Sequence, residues 1–130
     1  MPAKNIFIVD DDATLVECLC QIIEDAGHVV SKTTDSREAL RTLVAHPSRY
    51  DVLVSDNNMP HLSGRELIAG VRKGGFLGKI VIYSGGVSLD DEASFKAIGT
   101  DVVRRKPFDL KLLVPTIEDL VGKNGAAQPA

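Results

Sequence analysis

The chain lacks the marks of secreted, membrane-spanning and nucleic-acid-binding proteins. Its 130 residues hold no apolar stretch near the ~20 residues of a membrane span. The first residues, Met-Pro-Ala-Lys, lack the apolar segment of a signal peptide. Lys and Arg number 15 against 18 acidic residues, a net charge of −3, so no broad basic surface indicates nucleic acid. We expect a cytoplasmic protein without membrane or direct nucleic-acid contact.

Cysteine is also scarce, and Cys18 and Cys20 are the only two. Two residues apart on a predicted helix, they point to different faces and cannot easily form a disulfide. We interpret them as small apolar residues of that helix, not as a metal or redox centre. The sequence shows no internal repeat at solenoid spacing.

The composition is that of an ordinary globular domain, with 44% hydrophobic and 25% charged residues. A chain of this length can bury a real core. The Gly-, Ala- and Pro-rich stretch 122–130 is the only linker-like segment. We therefore predict one domain over residues 1–121 and a flexible tail over residues 122–130.

Short apolar runs alternate with helical patterns five times along the chain. The predicted strands are Asn5–Val9, Val29–Thr33, Val52–Ser55, Ile80–Tyr83 and Asp101–Arg104. Helix start signals are Asp35 with Glu38, Ser63 with Glu66, Ser88 with Asp91, and Asp109, while Gly27 and Gly99 are stop signals. Pro115 lies inside the last helical pattern and predicts either a kink or a late helix start.

This alternation predicts an α/β fold with a doubly wound, five-stranded parallel sheet and helices on both faces. The expected strand order is 2-1-3-4-5, the flavodoxin-like arrangement. Strands one and three are then neighbours. Asp10 and Asp11, which follow the first strand, should converge with Asp56, which follows the third.

Three converging carboxylates are unfavourable unless a cation or protons offset their repulsion. Mg²⁺ prefers oxygen ligands and keeps several waters. We predict Asp11 and Asp56 as direct ligands, Asp10 as holder of a metal-bound water, and the main-chain carbonyl of Asn58 as a further ligand. Asp12 is better explained by the positive end of the first helix.

The same sheet edge carries groups suited to phosphoryl transfer. Asp56 could attack phosphorus and form an acyl phosphate. Neutralising the phosphoryl oxygens needs further donors. Ser84 follows the fourth strand, before Gly85 and Gly86, and Lys106 follows the fifth. Each of these residues alone is weak evidence. The prediction rests on their combination, in this order, at one edge of the sheet.

These residues resemble the receiver domain of two-component response regulators, the CheY-like family. The matching stretches are Val9-Asp10-Asp11, Ser55-Asp56-Asn57-Asn58-Met59-Pro60 with Gly64, Ile82-Tyr83-Ser84-Gly85, and Lys106-Pro107-Phe108. The resemblance covers roughly residues 4–121. It implies that Asp56 accepts a phosphoryl group, that Asp10 and Asp11 bind Mg²⁺ with it, and that Ser84 and Lys106 contact the phosphoryl oxygens.

The resemblance also implies partners and a mode of output. The donor would be a sensor histidine kinase or a histidine phosphotransfer protein. Phosphorylation would move the Ser84 loop and reshape the face of helix four, strand five and helix five for a downstream protein. The chain would be a regulator and not an enzyme in the ordinary sense, a monomer or weak dimer, with no output domain visible in its sequence.

The sequence departs from the family pattern in three respects, at four positions. Val103 replaces the usual aromatic switch residue, so aromatic rotation cannot report phosphorylation. Arg104 and Arg105 lie in a strand that is usually apolar, and we expect them to pair with a carboxylate or reach solvent at an edge. Ser63 replaces a common Asp but still suits a helix cap.

Two other hypotheses remain at this point. Asp10-Asp11-Asp12-Ala13-Thr14 fits the Asp-x-Asp-x-Thr motif of haloacid dehalogenase-like phosphotransferases, with Asp10 as nucleophile and Asp12 as acid and base. That scheme needs an acidic strand end after the lysine, whereas Asp56 precedes both Ser84 and Lys106. The other alternative is a degenerate receiver that only binds partners. The intact set of Asp10, Asp11, Asp56, Ser84 and Lys106 argues against it.

Overall fold

The structure is a computed structural model that describes residues 2–85, 89–105 and 110–126. Strands and helices alternate within these ranges. The strands are β1 (Asn5–Val9), β2 (Val29–Thr33), β3 (Val52–Asp56), β4 (Lys79–Ser84) and β5 (Val102–Arg105). The α-helices are α1 (Ala13–Asp25), α2 (Ser36–Ala45), α3 (Gly64–Lys73), α4 (Leu89–Ala97) and α5 (Leu113–Ala126). A 3-10 turn over Leu110–Leu112 precedes α5.

All five strands pair in parallel in the order β2-β1-β3-β4-β5, which confirms the predicted fold. β1 and β2 have the predicted limits, whereas β3 extends to Asp56 and β4 spans Lys79–Ser84. β5 begins one residue later than predicted. The reason is that the Asp101 carboxylate accepts a hydrogen bond from the Ile80 N–H at 2.8 Å, which ties the side chain to β4 just before β5 starts.

Both faces of the sheet are buried, so the central strands are continuously apolar instead of alternating. Successive residues contribute to opposite core clusters. The cluster beneath α2, α3 and α4 includes Phe7, Val9, Leu53, Ile80, Ile82, Phe95 and Val103. The cluster beneath α1 and α5 includes Ile6, Ile8, Val52, Val54, Val81, Tyr83, Leu113 and Ile117.

Helix starts follow the predicted capping signals. The Asp35 carboxylate accepts a hydrogen bond from the Arg37 N–H at the start of α2. Ser63 and Glu66 form a reciprocal capping box on α3, so the serine serves as a cap as predicted. The signals at Ser88 and Asp109 lie outside the described residues.

Pro115 is accommodated by a late helix start. It is the third residue of α5, within the first turn, where the backbone N–H has no partner in the helix. α5 then continues to Ala126, past the predicted domain boundary at Val121, so the first part of the predicted tail is helical. The division of the chain at residue 121 stays a prediction.

Arg72, a residue that the sequence analysis did not single out, joins three segments. Its guanidinium donates to the carbonyls of Phe76 and Gly78 at 2.8 Å each and to the Gly99 carbonyl at 2.7 and 3.1 Å. It also pairs with the Asp101 carboxylate at 3.1 Å. The end of α3, the loop before β4 and the loop before β5 are therefore tied together by one side chain.

His28 and Glu118 form a second hydrogen bond between segments that are distant in sequence. The His28 Nδ1 accepts a hydrogen bond from the Lys4 N–H at 3.0 Å, and its Nε2 lies 2.8 Å from the Glu118 carboxylate. Because Nδ1 is an acceptor, Nε2 carries the proton and donates to Glu118. This pair holds α5 against the amino-terminal edge of the sheet.

The cysteines and the residues of β5 differ in their exposure. Cys18 is exposed, Cys20 is buried, and both thiols are free. Arg104 and Arg105 are exposed on the edge strand β5, so the solvent alternative describes them. Val103, in β5, is buried. None of the helices in the described part of the chain is long and apolar enough to cross a membrane.

Candidate functional site

Three carboxylates meet at the carboxyl edge of the sheet. Asp10 directly follows β1, Asp11 comes next, and Asp56 is the last residue of β3. One oxygen from each lies within 4.8 Å of the others. Val9 pairs with Ser55 in the sheet, and this register brings Asp10 beside Asp56. The predicted convergence of these three residues is confirmed.

The cluster has the donor set of a divalent cation site. Asp10 and Asp56 are 1% and 3% exposed, while Asp11 is exposed to solvent. Three anionic groups this close repel one another, and burial of two of them reduces screening by water. Carboxylate oxygens with an open, hydrated side suit Mg²⁺, which uses one or two carboxylates and keeps waters.

Asp10 is held by two donors. Its Oδ1 accepts a hydrogen bond from the Asp12 N–H at 2.8 Å. Its Oδ2 accepts one from the Tyr83 hydroxyl, also at 2.8 Å. Burial, and then the negative charge of Asp10, raises the pKa of Tyr83 well above its ordinary value. The tyrosine is therefore a neutral hydrogen-bond donor.

This role of Tyr83 was not predicted from the sequence, where the residue was named only as part of a strand and of the motif before Ser84. Strand alternation offered a signal, because Tyr83 and Ser84 must point to opposite faces. The partner of the hydroxyl, however, depends on the order of strands in space.

The backbone around Asp56 is fixed by the start of α3. The Asn57 N–H donates to the Tyr83 carbonyl at 3.1 Å, and the Asn57 carbonyl accepts from the Gly64 N–H at 2.8 Å. A Cβ on Gly64 would lie 2.5 Å from the Asp56 carbonyl oxygen and 2.8 Å from the Asn57 Cα. Glycine at position 64 is therefore required for this close approach.

Of the other predicted site residues, the structure describes Ser84 and Asn58 but not Lys106. Ser84 ends β4, beside the end of β3, and its hydroxyl donates to the Gly85 carbonyl at 3.2 Å. Among the described residues, no atom lies within 4 Å of the position that a Cβ on Gly85 would take. Asn58 lies in the exposed loop after β3. Lys106 and Gly86 lie outside the described residues.

Asp12 does not join the carboxylate cluster. Its Oδ1 accepts hydrogen bonds from the N–H groups of Thr14 and Leu15 at 3.1 and 3.2 Å. This is the cap role predicted from its place at the positive end of α1. An acid and base role for Asp12, as the phosphotransferase hypothesis requires, is not supported by this geometry.

Beside Asp56, α3 contacts α4 through the Arg65 side chain. The Arg65 N–H donates to the Asn57 Oδ1 at 3.2 Å, next to Asp56. The Arg65 guanidinium lies 4.2 Å from the centre of the Phe95 ring and donates to the Ser94 hydroxyl. Phe95 packs in the same cluster as Ile82 and Val103. A continuous set of contacts thus runs from the carboxylates to α4 and β5.

A model of the family described as "Response regulator receiver domain" matches residues 6–118. The chain belongs to this family. Receiver domains of response regulators interact with histidine kinases and output domains, and they are typically not enzymes in the ordinary sense. The haloacid dehalogenase-like alternative is therefore not supported.

Relatives of known sequence agree with this assignment. The chain is 32% identical over 124 residues to the transcriptional regulatory protein PrrA of Mycobacterium leprae, covering 95% of this chain and 52% of PrrA. It is 32% identical over 132 residues to the DNA-binding transcriptional regulator NtrC of Azospirillum brasilense, covering all of this chain and 27% of NtrC. The chain thus spans about half or less of these curated relatives.

Solved structures share the fold. The receiver domain of the Francisella response regulator 1452 has a TM-score of 0.85 and 26% identity, covering 93% of this chain and 98% of that one. The chemotaxis protein CheY4 of Vibrio cholerae has a TM-score of 0.81 and 28% identity, covering 92% and 99%. The CheY-like, five-stranded receiver fold is confirmed.

Proposed function

We propose that Asp56 accepts a phosphoryl group from a sensor histidine kinase or a histidine phosphotransfer protein. The observation that carries the proposal is the meeting of Asp10, Asp11 and Asp56 within 4.8 Å at the carboxyl edge of a receiver-type sheet. Asp56 is buried at the end of a central strand and backed by the α3 start, which gives it a fixed position. Fixed position is the main requirement of phosphoryl transfer.

The reaction forms one bond and breaks another. A carboxylate oxygen of Asp56 attacks phosphorus, and the bond from phosphorus to the donor's imidazole nitrogen breaks. The products are an acyl phosphate on Asp56 and the free histidine of the donor. Mg²⁺ bound by Asp11, Asp56 and the Asn58 carbonyl, with Asp10 holding a bound water, would neutralise charge on the phosphoryl oxygens.

Ser84 and Lys106 complete the proposed site. The Ser84 hydroxyl donates to the Gly85 carbonyl in the described state, and a rotation about its Cα–Cβ bond would redirect it to a phosphoryl oxygen. Lys106 follows β5 in sequence, and we assign its ammonium group to another phosphoryl oxygen. Both groups would act together, because the phosphoryl group adds about −1.5 to −2 charge units if it behaves as the serine ester does.

The effect of phosphorylation would reach a downstream protein through the face formed by α4, β5 and α5. Movement of the Ser84 loop would shift α4, whose Phe95 packs with Ile82 and Val103. Since position 103 is valine, packing at Phe95 takes the place that aromatic rotation has in the family pattern. The change is a shift between two existing conformations of the α4–β5–α5 face. A downstream protein would bind the shifted state.

The proposal is tested by labelling with acetyl phosphate. We expect acid-labile phosphate on the wild type with Mg²⁺ and none with EDTA. Asp56→Asn should not label, and Asp12→Asn should label normally, because Asn also caps a helix. Equal labelling of Asp56→Asn, or none of the wild type, would overturn the proposal.

A second assay separates this function from a phosphatase. With a small phosphomonoester and Mg²⁺, a receiver should release little phosphate beyond one turnover. Sustained turnover that is lost in Asp12→Asn would favour the phosphotransferase hypothesis instead. Lys106→Ala should still label but fail to transmit, and normal partner binding by its phosphorylated form would contradict the role of Lys106.

A further inference from the structure

Tyr83 reaches a carboxylate two strands away. It pairs in register with Asp56 on β3, and Asp10 continues β1 on the far side of β3. Asp10, Asp56 and Tyr83 therefore lie in one row across three neighbouring strand ends. Two strand spacings amount to roughly 10 Å. A serine or threonine on β4 is too short to cross that distance, whereas the tyrosine hydroxyl lies 2.8 Å from the Asp10 Oδ2.

The hydrogen bond occupies the buried side of Asp10. The Tyr83 side chain belongs to the core cluster of α1 and α5 and is fully buried, and Asp10 is 1% exposed. With the Asp12 N–H on Oδ1 and the Tyr83 hydroxyl on Oδ2, both oxygens of Asp10 have a donor. Asp11, the neighbouring carboxylate, is exposed to solvent. The two donors fix the side-chain rotamer of Asp10 relative to Asp11 and Asp56.

We infer that Tyr83 is a positioning residue for the divalent cation, one that holds Asp10 as a second-sphere ligand while Asp11 and Asp56 bind the ion directly. This inference rests on the proposed function. A hydroxyl suits this task because it compensates the carboxylate without adding a positive charge that would repel the cation. Residues that orient the groups around a bound metal commonly change metal affinity or activity by about 10- to 100-fold when removed.

The test compares two buried tyrosines in the full chain. Tyr50 is also buried, and its ring packs edge-on against Phe7, where it belongs to the opposite core cluster. Tyr83→Phe and Tyr50→Phe each remove one hydroxyl and keep the ring. Mg²⁺ affinity is measured by calorimetric titration of the unphosphorylated protein. We expect Tyr83→Phe to bind about tenfold more weakly and Tyr50→Phe to bind as the wild type does.

A double-mutant cycle separates positioning from a general structural effect. If Tyr83 acts through Asp10, then adding Tyr83→Phe to Asp10→Asn should change Mg²⁺ affinity by less than about twofold. An equal loss of affinity in both backgrounds would overturn the inference. So would wild-type affinity in Tyr83→Phe, and that result would leave the proposed function intact.

A spectroscopic measurement needs no change at position 83. The chain has two tyrosines and no tryptophan, so Tyr50→Phe leaves Tyr83 as the only source of the tyrosine absorption band. We expect this band to shift when MgCl₂ is added. The midpoint of the shift should match the midpoint of the calorimetric binding isotherm. A band that stays unchanged at saturation would overturn the inference even if Tyr83→Phe does not fold. Absence of any Mg²⁺ binding by the wild type would overturn both the inference and the proposed function.

Discussion

Gly64→Ala should displace the backbone of Asp56, although the substitution changes none of the three carboxylates. The new Cβ would lie 2.5 Å from the Asp56 carbonyl oxygen, and ordinary Cβ contacts begin at 3.4 Å. The start of α3 and the end of β3 must therefore separate by about 0.9 Å, because the close contact involves backbone atoms that no rotamer change can move. We expect a loss of about 1–3 kcal/mol in the free energy of unfolding. Displacement of Asp56 by that amount should slow phosphoryl transfer by about 10- to 100-fold.

The assay pairs urea unfolding with the initial rate of labelling by acetyl phosphate. Gly70→Ala, in the middle of the same helix, is the matched control. Its Cβ would meet the tip of the Leu40 side chain at 2.8 Å, which can rotate away. Helix propensity should then stabilise that variant by up to about 1 kcal/mol, with a normal labelling rate. Wild-type labelling by Gly64→Ala, or an equal loss in both variants, would refute the argument from close approach.

Three further predictions concern stability. Arg72→Met should lower the free energy of unfolding by about 2–4 kcal/mol, since it leaves the Phe76, Gly78 and Gly99 carbonyls without their shared donor. Arg41→Met, at an exposed position, is the control in urea unfolding. Equal stabilities of the two variants would contradict a stabilising role of the Arg72 hydrogen bonds. Hydrogen bonds from Arg37 lower the pKa of Asp35 from 3.8 to about 2. The carboxylate therefore contributes stability above pH 3.8 that is lost as the pH falls through its folded pKa, and the stabilities of wild type and Asp35→Asn should differ at neutral pH and converge in strong acid. Mg²⁺ at 100 times its dissociation constant should stabilise the wild type by about 2.7 kcal/mol in thermal unfolding, but not Asp11→Asn, whereas the surface control Asp25→Asn should respond fully.

Much of the fold was predictable because local and long-range signals agree. The apolar runs at β1 and β2 gave their limits correctly, and Asp35 and Ser63 marked the starts of α2 and α3. One strand limit was wrong where a side chain replaces a backbone partner. The start of β5 is one such place, because Asp101 uses its carboxylate to bind the Ile80 N–H of β4. From the sequence, Pro115 was equally compatible with a kink and with a late helix start. The structure shows the late start, because a 3-10 turn precedes α5.

The carboxylate cluster was predictable for a different reason. Parallel strands bring their carboxyl ends to one edge, so sequence position and strand order together bring Asp10, Asp11 and Asp56 close to one another. Side chains that cross between strands were not predictable in the same way. Tyr83 reaches Asp10 across β3, and His28 reaches Glu118 on α5, contacts that depend on packing between distant elements. The role of Lys106 stays a prediction.

The central claim is that one carboxyl oxygen, on Asp56, forms the bond to phosphorus. Borohydride reduction of the protein after acetyl phosphate treatment converts a phosphorylated aspartate to homoserine, and peptide mass mapping locates it. We expect homoserine at position 56 in the presence of Mg²⁺, and none there with EDTA or without acetyl phosphate. Homoserine at Asp10 or Asp12, or an unmodified position 56 under full labelling, would contradict the account.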